Sequence, residues 1–157
     1  MAGFNEARKL TKLQKDMYVG VNAMRTEIKE KALSFYKNSF KNQGFTDVAL
    51  QPWKPLKRAR VREKGKRGRQ SSKILVKSGR LRDSLKVRMR SNKEEAVITI
   101  FSKVKYANIH NEGLMGLAFG KYPFRMPKRQ FVGYSTKLDN RLTNIFRKKI
   151  KTIFNKQ

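Results

Sequence analysis

Between Asn5 and Asn42 the apolar residues Leu10, Leu13, Met17, Val21, Met24, Ile28, Ala32 and Phe35 recur at steps of three or four, the repeat that brings side chains to one face of a helix. Tyr36 and Phe40 continue the stripe, no proline interrupts it, and Gly44 stands where a helix C-terminus is commonly capped. As one straight rod, residues 5 to 42 reach about 57 Å at ~1.5 Å per residue. A compact chain of this length is only about 40 Å across. The helix therefore either bends near Gly20 onto its own core, or projects at one end as an arm that packs on another molecule.

After the helix, FTDVALQPW (45–53) reads as a turn-rich connection. From Lys54 to Arg69 nine basic residues stand against the single acid Glu63, and little of this stretch can enter a core. With Gly65 and Gly68 inside it and Ser71 and Ser72 behind it, the segment 54–72 is expected to be an exposed, mobile loop. Residues 73–157 then read as an α+β core. Ile74, Leu75 and Val76 lead into SGRLRDS, a turn with a short helical or extended piece. Leu85, Val87 and Met89 alternate with Lys86, Arg88 and Arg90, the period of a half-buried strand with a basic outer face. SNKEE makes a turn, and AVITIFS (96–102) returns as a β-branched partner in an antiparallel hairpin. KYANIHNEG is expected to form one helical turn ended by Gly113, followed by a loop from Leu114 to Lys128 and a short strand at Phe131–Tyr134. From Ser135 onward Leu138, Leu142, Ile145, Phe146, Ile150, Ile153 and Phe154 predict a second amphipathic helix. The fold class is thus α+β in one domain over 1–157: a long N-terminal amphipathic helix, a small antiparallel sheet and a C-terminal helix.

Charge changes what this pattern means. Of 157 residues, 39 are Lys or Arg and 11 are Asp or Glu, a formal net charge of +28. Self-repulsion of that size is relieved by anionic partners, nucleic acid or acidic protein. The residues placed to make such contacts are Lys54, Lys57, Arg58, Arg60, Arg62, Lys64, Lys66, Arg67 and Arg69, dense enough to neutralise several phosphates without reading sequence. No aromatic residue lies between Trp53 and Phe101 to stack a base, and no zinc-finger spacing accompanies the cations. Both a phosphate backbone and an acidic protein surface fit them. The N-terminal residues form no secretory h-region, and no segment approaches the ~18 apolar residues of a membrane span. A soluble protein made in the cytoplasm, without a membrane partner, is expected.

Catalytic groupings are sparse. There is no Cys, and the single histidine is His110, in IHNEG. Its neighbours Asn111 and Glu112 invite comparison with His-Asn nuclease motifs, but one histidine cannot both hold a metal and activate water. The carboxylates stand singly apart from Glu94 and Glu95, and the glycines form neither a phosphate loop nor a dinucleotide fingerprint. No catalytic residue, cofactor or metal is assigned, and a non-enzymatic role is expected. A nuclease built around His110 and a stand-alone basic nucleic-acid-binding protein remain the rival readings.

The order of segments carries one more signal. Trp53 with Pro55 and Leu56, then Leu75, Ser78, Gly79, Leu81 and Ser84, then Tyr106, Ala107, Ile109, His110 and Gly113, and finally Pro127, Arg129, Phe131, Gly133 and Ser135 together resemble the phage virion morphogenesis family, the tail-completion proteins of Mu-like and related phages. The likeness runs from about Leu10 to Phe154. It implies a virion protein of the phage neck or tail end that assembles as a ring, often sixfold, around genomic DNA, between the portal or connector and the tail tube or terminator proteins. The family brings no catalytic residues. In this sequence Gly79 and Gly113 suit tight turns with positive φ, Trp53 and Phe131 supply buried area, and Arg129 or His110 can tie loops by hydrogen bonds.

Overall fold

The computed structural model describes residues 2–55, 73–91, 96–118 and 120–155. Helix α1 (Ala2–Asn42) runs unbroken through Gly20 for 41 residues, about 61 Å at ~1.5 Å per residue. Its apolar stripe is buried from Met24 through Ile28, Ala32, Phe35 and Tyr36 to Phe40. Upstream, Tyr18 and Val19 are 70% and 59% exposed. The same helix is therefore core in its second half and arm in its first.

Two hairpins and a second long helix are arranged along that core half. Strands β1 (Gly44–Thr46) and β2 (Leu50–Pro52) pair antiparallel, with Phe45 opposite Gln51. The expected turn-rich connection over 45–53 is in fact this short hairpin. Gly44 does not cap α1: the left-handed residue is Gln43, with φ 56°. Its amide holds itself in place, donating from Nε2 to Phe40 O at 2.6 Å and accepting the Ile74 N–H on Oε1 at 2.5 Å. Gly44 is needed for a different reason, since a Cβ there would lie 2.5 Å from Gln51 O across the hairpin.

Helix α2 (Arg80–Asp83) follows Gly79 and carries the buried Leu81. Strands β3 (Leu85–Ser91) and β4 (Ala96–Ser102) then form the expected antiparallel hairpin, in the register Leu85↔Ser102 through Ser91↔Ala96. Alternation places Leu85, Val87 and Met89 on the inner face with Ile98 and Ile100, and this face packs on α1. Helix α3 (Ala107–Glu112) ends at Gly113. Gly79 and Gly113 take left-handed φ angles of 69° and 72°, as their turns require.

Past α3 the chain departs from expectation twice. Within the segment 114–128, expected to be a loop, strands β5 (Met115–Ala118) and β6 (Tyr122–Arg125) pair antiparallel. The strand expected at 131–134 does not form, because side chains, not a neighbouring strand, take the backbone groups of that segment. Helix α4 (Thr136–Phe154) begins where the pattern places it, with Ser135 as N-cap accepting the Leu138 N–H at 3.2 Å. Among the described residues the sheet component is thus three separate two-stranded sheets.

Helix α4 runs antiparallel to α1. Tyr36 bonds to Gly133 just ahead of α4, Glu27 pairs with Lys149 at 3.1 Å, and Ile153 packs at Gly20. On the sheet side Arg25 of α1 donates to Ser91 at the end of β3. The first 18 residues or so of α1 extend beyond these contacts, about 27 Å of helix. The main cluster joins Phe35, Tyr36 and Phe40 of α1 to Phe45, Trp53, Leu81, Leu85, Ala107, Phe131 and Leu138. Phe40, 1% exposed, sits edge-on to Trp53 at 5.6 Å and beside Phe131 at 5.1 Å between centroids. Each such ring contributes roughly 1.5–3 kcal/mol by leaving water.

Candidate functional site

Of the nine cations placed at a phosphate or acidic-partner contact, Lys54 is exposed at the end of the described segment. Lys57, Arg58, Arg60, Arg62, Lys64, Lys66, Arg67 and Arg69 lie outside the described residues. The second basic surface is in view. Lys86, Arg88 and Arg90 are all exposed on the outer face of β3, opposite Phe101, Thr99 and Val97 of β4. Arg88, exposed, lies over the Phe101 ring at 5.3 Å, where the ring face attracts its charge. On α4, Lys137, Arg141, Arg147, Lys148 and Lys151 are likewise exposed. Among the described residues three ion pairs form, Arg82–Asp83, Lys128–Glu112 and Lys149–Glu27, so most of the described cations lie outside these pairs.

The motif residues near the C-terminal half hold loops. Asn111, which the sequence singled out only as a neighbour of His110, accepts the Phe131 and Val132 N–H groups on Oδ1 at 2.9 and 3.0 Å and donates from Nδ2 to Val132 O at 3.1 Å. Trp53 Nε1 donates to Gln130 O at 2.6 Å, Tyr36 to Gly133 O at 2.7 Å and Ser39 to Phe131 O at 3.3 Å. Asp47, in the β1–β2 turn, accepts the Thr136 N–H at 2.7 Å and places a carboxylate at the start of α4, where the helix dipole favours it. These partners are 20 to 97 residues away along the chain, and no local pattern marks them.

The three polar residues of IHNEG do not converge. Asn111 donates to the neighbouring Glu112 and is otherwise engaged with residues 131–132, Glu112 also faces Lys128 at 3.7 Å, and the His110 ring stands apart, edge-on to Tyr106 at 5.7 Å. Burial, and after it the Arg129 charge, holds His110 below its ordinary value, so the imidazole is neutral at pH 7. Among the described residues no three His, Cys, Asp or Glu side chains gather as a metal site. Arg129 and His110 join their loops through the main chain, Arg129 N–H donating to His110 O at 2.8 Å, and not through the side-chain hydrogen bonds expected of them. Their side chains do something else: Arg129 Nε and His110 Nδ1 are buried without a hydrogen-bond partner among the described residues.

What these residues build is scaffolding, with loops stapled by side chains beneath an outward-facing cationic surface and an extended helix. A family model described as the phage virion morphogenesis family matches residues 7–151, and the chain belongs to that family. The role this gives it is in phage virion assembly. No curated protein and no solved structure matches the chain. No described helix is long and apolar enough to cross a membrane.

Proposed function

We propose that the chain is a structural protein of the phage neck or tail end, joining the head connector to the tail as a ring around the DNA channel. The observation that carries this is the family match along residues 7–151. Six subunits are the expected order, with the portal or connector on one side and the tail tube or terminator proteins on the other. A closed ring needs head-to-tail contacts between unlike surfaces of one subunit. Two features suit that: the first half of α1, bearing exposed Tyr18 and Val19, and the β5–β6 hairpin, whose Met115, Leu117 and Tyr122 are exposed. Contiguous exposed apolar residues of this kind mark protein contacts. Lys86, Arg88 and Arg90, with the basic residues from Lys54 to Arg69, would line the lumen and hold DNA without reading its sequence.

Electron microscopy of particles made without this gene tests the reading. DNA-filled heads beside unattached tails are expected, and normal, joined, infectious particles would overturn it. The row of exposed cations on β3 favours one other reading, a stand-alone nucleic-acid-binding protein. That protein would lose DNA affinity roughly 10³-fold between about 50 and 200 mM salt if it contacts six phosphates, while its loss would leave virions joined.

A further inference from the structure

Beside α3, Pro55, Ile74, Leu75, Met126 and Pro127 wall a cleft of about 630 Å³. Its charge has one sign. Lys54, Lys73, Lys77 and Arg125 line it together with Arg129 and His110, and among the described residues no carboxylate does. Arg129 is 5% exposed. Its Nη1 approaches only the Met126 sulfur, at 3.6 Å, and its Nε has no partner among the described residues. Sulfur is a weak acceptor, and a guanidinium taken out of water without full hydrogen bonds is strongly destabilising. Buried polar groups in folded proteins are otherwise paired. A buried arginine whose Nε lacks a partner among the described residues and whose Nη1 meets only a sulfur, set among four further cations, is an arrangement that a ligand with anionic oxygens completes.

We propose that this cleft binds a carboxylate side chain carried by an acidic, apolar-flanked segment of a partner protein. Arg129 supplies the fixed N–H donors that match a carboxylate, the lysines at the rim steer it, and Pro55, Leu75 and Pro127 cover the apolar atoms beside it. The walls favour peptide over nucleic acid. A duplex presents phosphates on a convex surface, which meets outward cations such as Arg88, not a guanidinium set among prolines and aliphatic side chains. The chain itself has 11 acidic against 39 basic residues, so a second copy is a poor source of the acidic segment and a partner of opposite charge is the better fit. The site goes beyond the neck assignment and stands whether or not the chain forms a ring.

Fluorescence anisotropy of the full-length protein with a labelled peptide of alternating Glu and Leu reads the site, with a Gln–Leu peptide and a short DNA duplex alongside. Arg129→Met and the rim pair Lys73→Glu with Lys77→Glu should each weaken the Glu–Leu peptide by about 10- to 100-fold, the worth of one or two charged hydrogen bonds. The pair Lys86→Glu with Arg88→Glu, the same charge change on the outer sheet face, should alter peptide affinity by less than about threefold. Thermal unfolding adds a second readout. Removing an unpaired buried charge leaves Tm unchanged or raises it, by about 2–4 °C, whereas a purely structural arginine would lower it. If Arg129→Met does not fold, the exposed rim pair decides alone. Equal loss from the rim pair and the sheet pair, undiminished binding by the site variants, or equal weakening of DNA and peptide by the rim pair would each overturn the proposal.

Discussion

Asn111→Ala removes the acceptor that holds residues 131 and 132 against α3. It strands two backbone N–H groups, at Phe131, which is 2% exposed, and at the half-buried Val132, and frees Val132 O from Nδ2. An orphaned buried donor costs about 1–3 kcal/mol and an ordinary hydrogen bond about 1. With Val132 partly reachable by water, the loss comes to about 3 kcal/mol, a large part of the 5–15 kcal/mol typical of a folded domain. For a chain of this size Tm should fall by roughly 6–12 °C. Urea unfolding followed by circular dichroism checks the value, with the midpoint lowered and the m-value kept. Asn111→Asp retains the two-donor acceptor with added charge, loses the donor and sits beside Glu112, so it should cost only about 1 kcal/mol. Asn108→Ala, on the exposed side of α3, should stay within about 0.5 kcal/mol. If Asn111→Ala also stayed within about 0.5 kcal/mol, the amide would not be what secures the segment, and the account of why 131–134 forgoes strand pairing would be wrong.

Gly44→Ala should cost about 1–3 kcal/mol in the same unfolding assay, because its Cβ meets the Gln51 carbonyl oxygen across a paired strand. Asp47→Ala should cost about 0.5–2 kcal/mol by uncapping the start of α4. His110 titrates below its usual range in the folded state, so the unfolded chain takes up a proton first; stability present above about pH 6.5 is lost as pH falls through and below that value, and His110→Gln should flatten this part of the Tm–pH curve. Replacing Lys86, Arg88 and Arg90 with Gln should lower the slope of log affinity for DNA against log salt by roughly 2.7, about 0.9 per lost phosphate contact, if all three meet phosphate. An unchanged slope would remove the β3 face from the DNA-facing surface.

Periodicity by itself determined the long elements. The three-and-four repeat from Leu10 to Phe40 and the run from Leu138 to Phe154 are local signals long enough to outlast single exceptions, and both are helices. The alternation through Leu85–Arg90 likewise named β3, its partner and its basic face. Segment order named the family, because Trp53, Gly79, Gly113 and Phe131 serve buried area and turns that any chain of this fold needs in that order. Only the tertiary structure decided the short and irregular parts. In β1–β2 and β5–β6 three or four residues per strand are too few to show a period, and their pairing depends on what they pack against. Residues 131–134 carry strand-like side chains, but Asn111, Ser39 and Tyr36 reach their backbone first, from positions 20 to 97 residues away. The cleft at Arg129 follows the same logic. The family motif marked that arginine, but its burial, its missing partner and its cationic surroundings come from Lys54, Lys73, Lys77 and Arg125 meeting in space, which a linear pattern does not record.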